Sequence, residues 1–500
     1  MLGWGLPDDV ATSVAHPLCA RALAISSRGR RLVYLVADLC FVAASLRVGV
    51  LAELARRRVA VAPSDLMLTG THTHAGPNGF SHAFFYDLSA LGYSPRVHAA
   101  LVRGCADAVQ RAVDRLEPAR LSLGEARVRG RVLVNRSLEA HRRDPEASAE
   151  GVDRTLLALR VDSAGGHPLG VLSLFALHCT SIHAGGGALH PDHKGLAAAR
   201  MEREGPEGFV ALFGQGAAGD VSPNVRFDPA RGLAVGPGAD DESSAALVAT
   251  AQAEATRRAV ARATPLSGQL DAAAIRVDLE ERFVPPRFGG PARTTRSLLG
   301  LAMARGTGEG PGPLGRLRAP LRRPLAADPK LLMLRTGPGR GRRLLGWIDA
   351  ARLPAGLHPA ARHARRAARG GGLERAWIPT VLPVQILRIG ALTLAGLPNE
   401  PTTVAGARLR RLLEARLGGR AHVQGYANAY SGYLTTPEEY ALQAYEGAYT
   451  LFGPHTLGAF AAALDGLCGV LDGAPRQIEG PPLQTCTPAE LAARAGARAG

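Results

Sequence analysis

The sequence predicts an α/β fold, a large single catalytic domain with mixed β-sheets flanked by helices and its site at strand ends. Three observations carry that expectation. Apolar runs of strand length alternate with segments whose apolar residues recur at helical spacing. Polar motifs rich in His, Ser and Asn stand where several of those runs end, as in α/β enzymes whose sites lie at one edge of a sheet. No internal repeat divides the 500 residues.

Residues 31–37 form an apolar run that predicts a buried strand, and 45–58 carry helical spacing. A second apolar run at Leu66, Met67 and Leu68 empties into Thr71, His72, Thr73 and His74 and then a Gly76-Pro77 turn. Residues two apart in extended chain share a face, so the two imidazoles are delivered side by side. Ser94 and Pro95 open an amphipathic helix over 94–116. Alternation predicts a strand over 121–134, ending in Asn135, Arg136 and Ser137, and further strands at 155–161, 169–177 and 208–213. Residues 228–241 read as a surface loop, and 243–263 as an Ala-rich helix. Gly, Pro and Arg crowd 285–375, an irregular insertion in which His358 and His363 read as solvated. Order returns in two apolar strands over 377–397 joined at Ile389 and Gly390, followed by a helix over 402–417 and a Tyr-rich stretch. Residues 1–475 form the expected catalytic domain, and 476–500 a poorly ordered tail.

Charge and composition exclude several classes. The net charge of +16 would ordinarily suggest phosphate-rich partners or an anionic membrane surface. The basic residues are nearly all Arg, scattered rather than interleaved with aromatics, and Lys194 and Lys330 are the only lysines, so nucleic acid is not an expected partner. Six dispersed cysteines without a CxxC pair form neither a zinc cluster nor a disulfide scaffold. No run reaches the roughly 18 apolar residues of a membrane span. The start has neither a basic nor an apolar leader region, which reads as cytoplasmic as written and as exported if the true start lies upstream.

Each candidate site residue has a plain reading beside a chemical one. His72 and His74 are either polar residues at a loop mouth or a metal ligand with an acid–base neighbour. His178, at the end of a strongly apolar run, is a core His bonded to a carbonyl or a ligand. Glu400 opens a helix, where a carboxylate favours the dipole, or it binds a cation. Tyr433 and Tyr445 suggest aromatic packing. Ser222 in GDVSPN, held extended by Pro223, is a turn serine or a nucleophile that needs a base.

Together the motifs THTHAGPNG, VNRS, FALHCTS, PDHKG, FGQGAAGDVSPN, LGLAMARGTGEGPG, WIPTVLPVQILRIG, LPNEPTTVAGARLR and YLTTPEEYALQAYEGAYTLFGPHTL resemble, in this order, the neutral non-lysosomal ceramidases. The resemblance runs from about residue 16 to 471 and implies a zinc-dependent amidase that cleaves ceramide to sphingosine and a fatty acid. It implies one zinc ion held by His72, His178, Glu400 and Tyr433. It makes His74 a catalytic residue, brings Arg136 near the reacting group, has Tyr445 hold the oxyanion, and assigns Ser222 as nucleophile. Zinc-bound water needs no activated serine, so water is the expected attacking group and Ser222 a pocket residue. The family normally continues into an immunoglobulin-like domain, which this chain, closing in ELAARAGARAG, is expected to lack. Departures such as PDHKG and Pro401 leave two further readings, an amidase for another N-acyl amine and a non-catalytic lipid or membrane-surface binder. Peripheral membrane contact fits each reading, and oligomeric state is not encoded in any motif.

Overall fold

In the computed structural model, residues 1–312, 343–344, 348–353, 359–373, 375, 377–474 and 480–496 are described. Three sheets of mixed direction form the core. The first runs Ala20–Ser27, Arg30–Ala37, Leu66–Gly70, the last two parallel. The second orders Val210–Gly214, Pro168–Leu174, Thr155–Ser163, Ala119–Arg127 and Thr264–Leu266. The third orders Leu270–Asp278, Val381–Ile389, Leu392–Gly396 and Arg420–Gln424.

Period-2 alternation explains how these sheets pack, because successive side chains leave opposite faces of a strand. In Arg30–Ala37, Leu32, Tyr34 and Val36 join Leu157, Leu159, Leu172, Leu387 and Leu394 in one buried cluster drawn from all three sheets. Val33 and Leu35 point the other way, into a cluster shared with Leu382, Val384 and Ile386. Helices Ala44–Arg56, Pro95–Asp114, Thr403–Leu417 and Thr456–Leu471 cover that cluster through Val50, Val109, Leu413 and Phe460. Leu156 and Ala158 do the same on the second sheet, beneath helices Asp192–Glu204 and Asp241–Ala261. Each buried Leu or Val contributes about 1.5–3 kcal/mol, so strands apolar on both faces are the ones buried between layers.

The mixed sheets flanked by helices agree with the fold class expected from the sequence. The helix starts follow local chemistry: Ser94 accepts from the Val97 amide, Thr402 from the Ala405 amide, and Asp240 forms a capping box with Ser243. Local differences have local causes. The strand expected over 121–134 ends at Arg127 and resumes as Val134–Asn135, interrupted where Gly130 takes a positive φ of 86°. The loop expected at 228–241 contains a hairpin, Arg226–Asp228 against Leu233–Val235.

Two expectations are corrected. Residues 476–500 are not uniformly loose: helix Pro488–Arg494 docks, with buried Arg494 donating to the Gly372 carbonyl (2.5 Å) and the His82 carbonyl (2.6 Å). His363, in helix Pro359–Arg369, is buried rather than solvated and stacks at 5.4 Å on Phe84, whereas His358 lies outside the described residues. Among the described residues no helix is long and apolar enough to cross a membrane.

Candidate active site

Carboxyl ends of parallel strands feed one point, the edge at which open α/β sheets bind ligands. Leu66–Gly70 leads to His72, Pro168–Leu174 to His178, Leu392–Gly396 to Glu400, and Arg420–Gln424 to Tyr433. Chain entry is tightly held. His72 takes a positive φ of 72°, costly for a residue with a Cβ, and its amide donates to the Leu39 carbonyl at 2.8 Å. Glu400–Pro401 pairs in parallel with Tyr433–Leu434, setting Glu400 directly opposite Tyr433.

The side chains converge. Glu400 Oε2 lies 3.3 Å from His72 Nε2 and 3.1 Å from His178 Nε2, and the Tyr433 hydroxyl lies 3.3 Å from His178 Nε2. Both imidazoles are oriented from behind, His72 Nδ1 donating to the Cys40 carbonyl and His178 Nδ1 to the Ala218 carbonyl, each at 2.6 Å. A carbonyl can only accept, so Nδ1 is the donor on each ring and Nε2 is the nitrogen left to face Glu400, where a cation would take the place of its proton, the second-sphere pattern of a metal-binding His. Four ligands about 2.0–2.1 Å from a tetrahedral zinc stand about 3.3 Å apart, which the observed spacings match. The donor set therefore fits a zinc ion. Of the four other His-containing groups, those of His190 and His193 fit less well. His190 Nδ1 accepts from the Asp192 amide, so its Nε2 carries the proton it gives to Glu242, and His193 uses both nitrogens on Gln252 and the His178 carbonyl.

Electrostatics sharpen the same centre. Burial opposes charge on His72, but Glu400 and Cys40 outweigh it and raise the pKa to about 10. Glu400 resists burial and falls well below its usual range because His72 and His178 face it. Burial and then His72 push His74 well below its ordinary value. Burial holds the Tyr433 phenol well above 10 against the pull of Arg136. Tyr426 and Tyr430 also donate to Glu400, Tyr426 at 3.1 Å.

The remaining candidates gather around Arg136. Strand Val134–Asn135 pairs with Val221–Ser222, and the guanidinium donates to the Tyr433 hydroxyl (2.8 Å), the Gly219 carbonyl (2.8 Å), Glu309 (2.7 Å) and Glu446 (3.0 Å). Its carbon also sits 5.5 Å from the centre of the Tyr445 ring, which meets Tyr433 edge-on. Ser222 Oγ donates to Glu309 at 2.5 Å and accepts from the Asn224 amide at 2.9 Å. Its acidic partner is thus a carboxylate, and no His among the described residues bonds the hydroxyl. Arg136, the nearby His178 and the Ser222 hydroxyl overcome burial and keep Glu309 well below the usual carboxylate range.

Glu309, Glu446, Tyr426 and Tyr430 were not expected from the sequence. Glu309 had one visible signal, an acidic residue in the Gly-rich run GTGEGPG, which folds as a hairpin over the site. Above these groups opens a cavity of about 810 Å³, walled by Leu2, Trp4, Phe41, Phe85, Leu88 and Met303. His72, His74, Arg136, Glu400 and Tyr433 form its polar floor.

Comparison with known proteins identifies the family. Residues 1–320 and 368–462 match the family model for the neutral/alkaline non-lysosomal ceramidase N-terminal region. The chain belongs to this family. The neutral ceramidase of Pseudomonas aeruginosa is 35% identical over 476 residues, covering 92% of this chain and 68% of that one. That of Mycobacterium tuberculosis is 33% identical over 501 residues, covering 95% and 75%. The fold is similar to a solved ceramidase complexed with C2 (TM-score 0.81, 32% identity, 97% of this chain and 75% of that one). It is also similar to the neutral ceramidase crystal structure from Pseudomonas aeruginosa (TM-score 0.78, 31% identity, 97% and 73%). All eight candidates above lie within the two matched ranges. As a ceramidase-family hydrolase the chain is an enzyme, which sets aside the reading as a non-catalytic binder.

Proposed function

We propose that this enzyme hydrolyses the N-acyl bond of ceramide with a single zinc ion held by His72, His178, Glu400 and Tyr433. The observation that carries the reading is the meeting of those four donors at the floor of a large apolar cavity. Two acyl or alkyl tails suit walls of Leu, Phe, Trp and Met, and an amide suits the polar floor. Bound there, zinc would supply an activated water at neutral pH and polarise the amide carbonyl.

The protein's own groups account for the rest. Arg136 is a fixed cation whose partners Glu309 and Glu446 hold it in place, so with Tyr445 it can stabilise negative charge as it builds on the carbonyl oxygen. His74 Nε2 lies 3.2 Å from His72 Nε2, at the reacting centre. It takes the proton of the attacking water and returns it to nitrogen as the C–N bond breaks, leaving a neutral amine.

Metal analysis and hydrolysis of a short-chain fluorescent ceramide test the reading together. One zinc per chain is expected, with activity lost on chelation and restored by zinc. Full activity in a zinc-free preparation would overturn it. A panel of other N-acyl amines measured beside ceramide fixes the substrate class.

Ser222 is assigned a positioning role, because its proton goes to Glu309. Ser222→Ala is expected to lower kcat/KM by about 10–100-fold, the scale of one hydrogen bond to a charged group lost from the Arg136–Glu309 network. Detection of a Ser222 acyl adduct by mass spectrometry during turnover would refute that role.

A further inference from the structure

His74 is held differently from its neighbours. His72 and His178 are each oriented by a carbonyl on Nδ1, but His74 Nδ1 is buried without a hydrogen-bond partner. Its ring is instead enclosed by the strand Leu2–Gly3, which pairs antiparallel with Ala75–Gly76 and sets Gly3 opposite Ala75. Gly3 has a φ of 127°, and a Cβ there would fall 2.4 Å from His74 Cγ, so only the bare backbone fits against the imidazole. Next in the chain, Trp4 meets the His74 ring edge-on at 5.1 Å between centroids.

Trp4 is itself fixed. Its indole N–H donates to the Ile182 carbonyl at 3.3 Å, and it stacks at 5.6 Å on His183. His183 is anchored on two sides, Nδ1 at 3.0 Å from Asp241 and Nε2 at 3.0 Å from the Ala234 carbonyl. A rigid path of contact thus runs from Asp241 through His183 and Trp4 to His74.

We infer that Gly3 and Trp4 are the positioning residues for His74, substituting shape and ring contact for the missing hydrogen bond. The inference rests on the proposed role of His74 in carrying a proton to the departing amine. That transfer needs the donor within hydrogen-bond reach of the amide nitrogen, and a misplacement of about 1 Å costs about 100-fold. In the step concerned, the proton moves from His74 Nε2 to nitrogen as the C–N electron pair stays on nitrogen.

Leaving-group dependence distinguishes positioning from general structural damage. Gly3→Ala, Trp4→Ala and Trp4→Phe are compared on two substrates with the same acyl chain, an alkyl amide and a 4-nitrophenyl ester. The nitrophenolate departs without a proton. Gly3→Ala and Trp4→Ala are expected to lose about 100-fold in kcat on the amide and about tenfold less than that on the ester, which draws on His74 for the water's proton but not for the leaving group, with zinc content unchanged. Trp4→Phe, which keeps a ring against His74, is expected to recover most amide activity. Equal losses on both substrates, or none on either, would overturn the inference, and the two Trp4 variants decide the matter should Gly3→Ala not fold. A wild-type enzyme without zinc, or inactive on the amide, would instead remove the reading beneath it.

Discussion

Replacing His178 with alanine is expected to empty the proposed zinc site and lower kcat/KM on ceramide by on the order of 10³-fold or more. Removing an outer-shell partner typically costs about 10–100-fold, and His178 is placed among the ligands themselves. Its Nε2 lies within 3.3 Å of both Glu400 and the Tyr433 hydroxyl, so its loss opens the centre of the donor set. Metal content and kcat/KM, measured on the same preparation, check this. Retention of one zinc per chain together with wild-type turnover would contradict it. Thermal unfolding should register a smaller effect, about 1–3 kcal/mol, because the Ala218 carbonyl is left without its donor.

Arg136→Ala is expected to damage both catalysis and stability. The guanidinium is buried and bonds two buried carboxylates, Glu309 and Glu446. Leaving such charges without their partner costs about 3–5 kcal/mol, and losing one stabilising donor at a developing oxyanion lowers kcat about 10²–10³-fold. Chemical denaturation and steady-state kinetics read the two effects separately. Adding Glu309→Gln removes one stranded charge, so the double variant should regain part of the stability and none of the activity. A double variant as unstable as the single one would show that Glu309 is not Arg136's energetic partner. The pH dependence has a definite sign. Because the folded-state pKa of Glu309 is depressed, its contribution is fully present above the ordinary carboxylate range. It is lost as pH falls below that range toward the folded value, so the wild-type and Arg136→Ala stabilities should differ most near neutrality and converge in acid.

Much of this architecture is written locally. The strand at Arg30–Ala37 was legible because both its faces are apolar, and its helical neighbours because their apolar residues recur at helical spacing and Ser94, Asp240 and Thr402 cap their starts. The strand ends that carry His72, His178 and Glu400 were legible as places where apolar chain gives way to polar residues. Glu309 was not, since its loop has no periodicity and its importance comes from Arg136, Ser222, Thr180 and Asn224, all more than 80 positions away. The docked helix at Pro488–Arg494 was hidden for a similar reason: its anchor is a long-range bond from Arg494 to backbone at Gly372 and His82.

By itself, the sequence determined the α/β class, several of the strands and helices, and the residue types able to hold a cation. Those follow from periodicity and side-chain chemistry, which act over a few residues. Only the tertiary structure decided that two imidazoles, a carboxylate and a phenol from positions 72, 178, 400 and 433 meet, with His72–Glu400, His178–Glu400 and His178–Tyr433 spacings of 3.3, 3.1 and 3.3 Å. It also decided that His74 leans on Gly3 and Trp4 rather than on a hydrogen bond. Distances of that kind are set by sheet register and by the packing of layers against one another, and neither is encoded in any single stretch of chain.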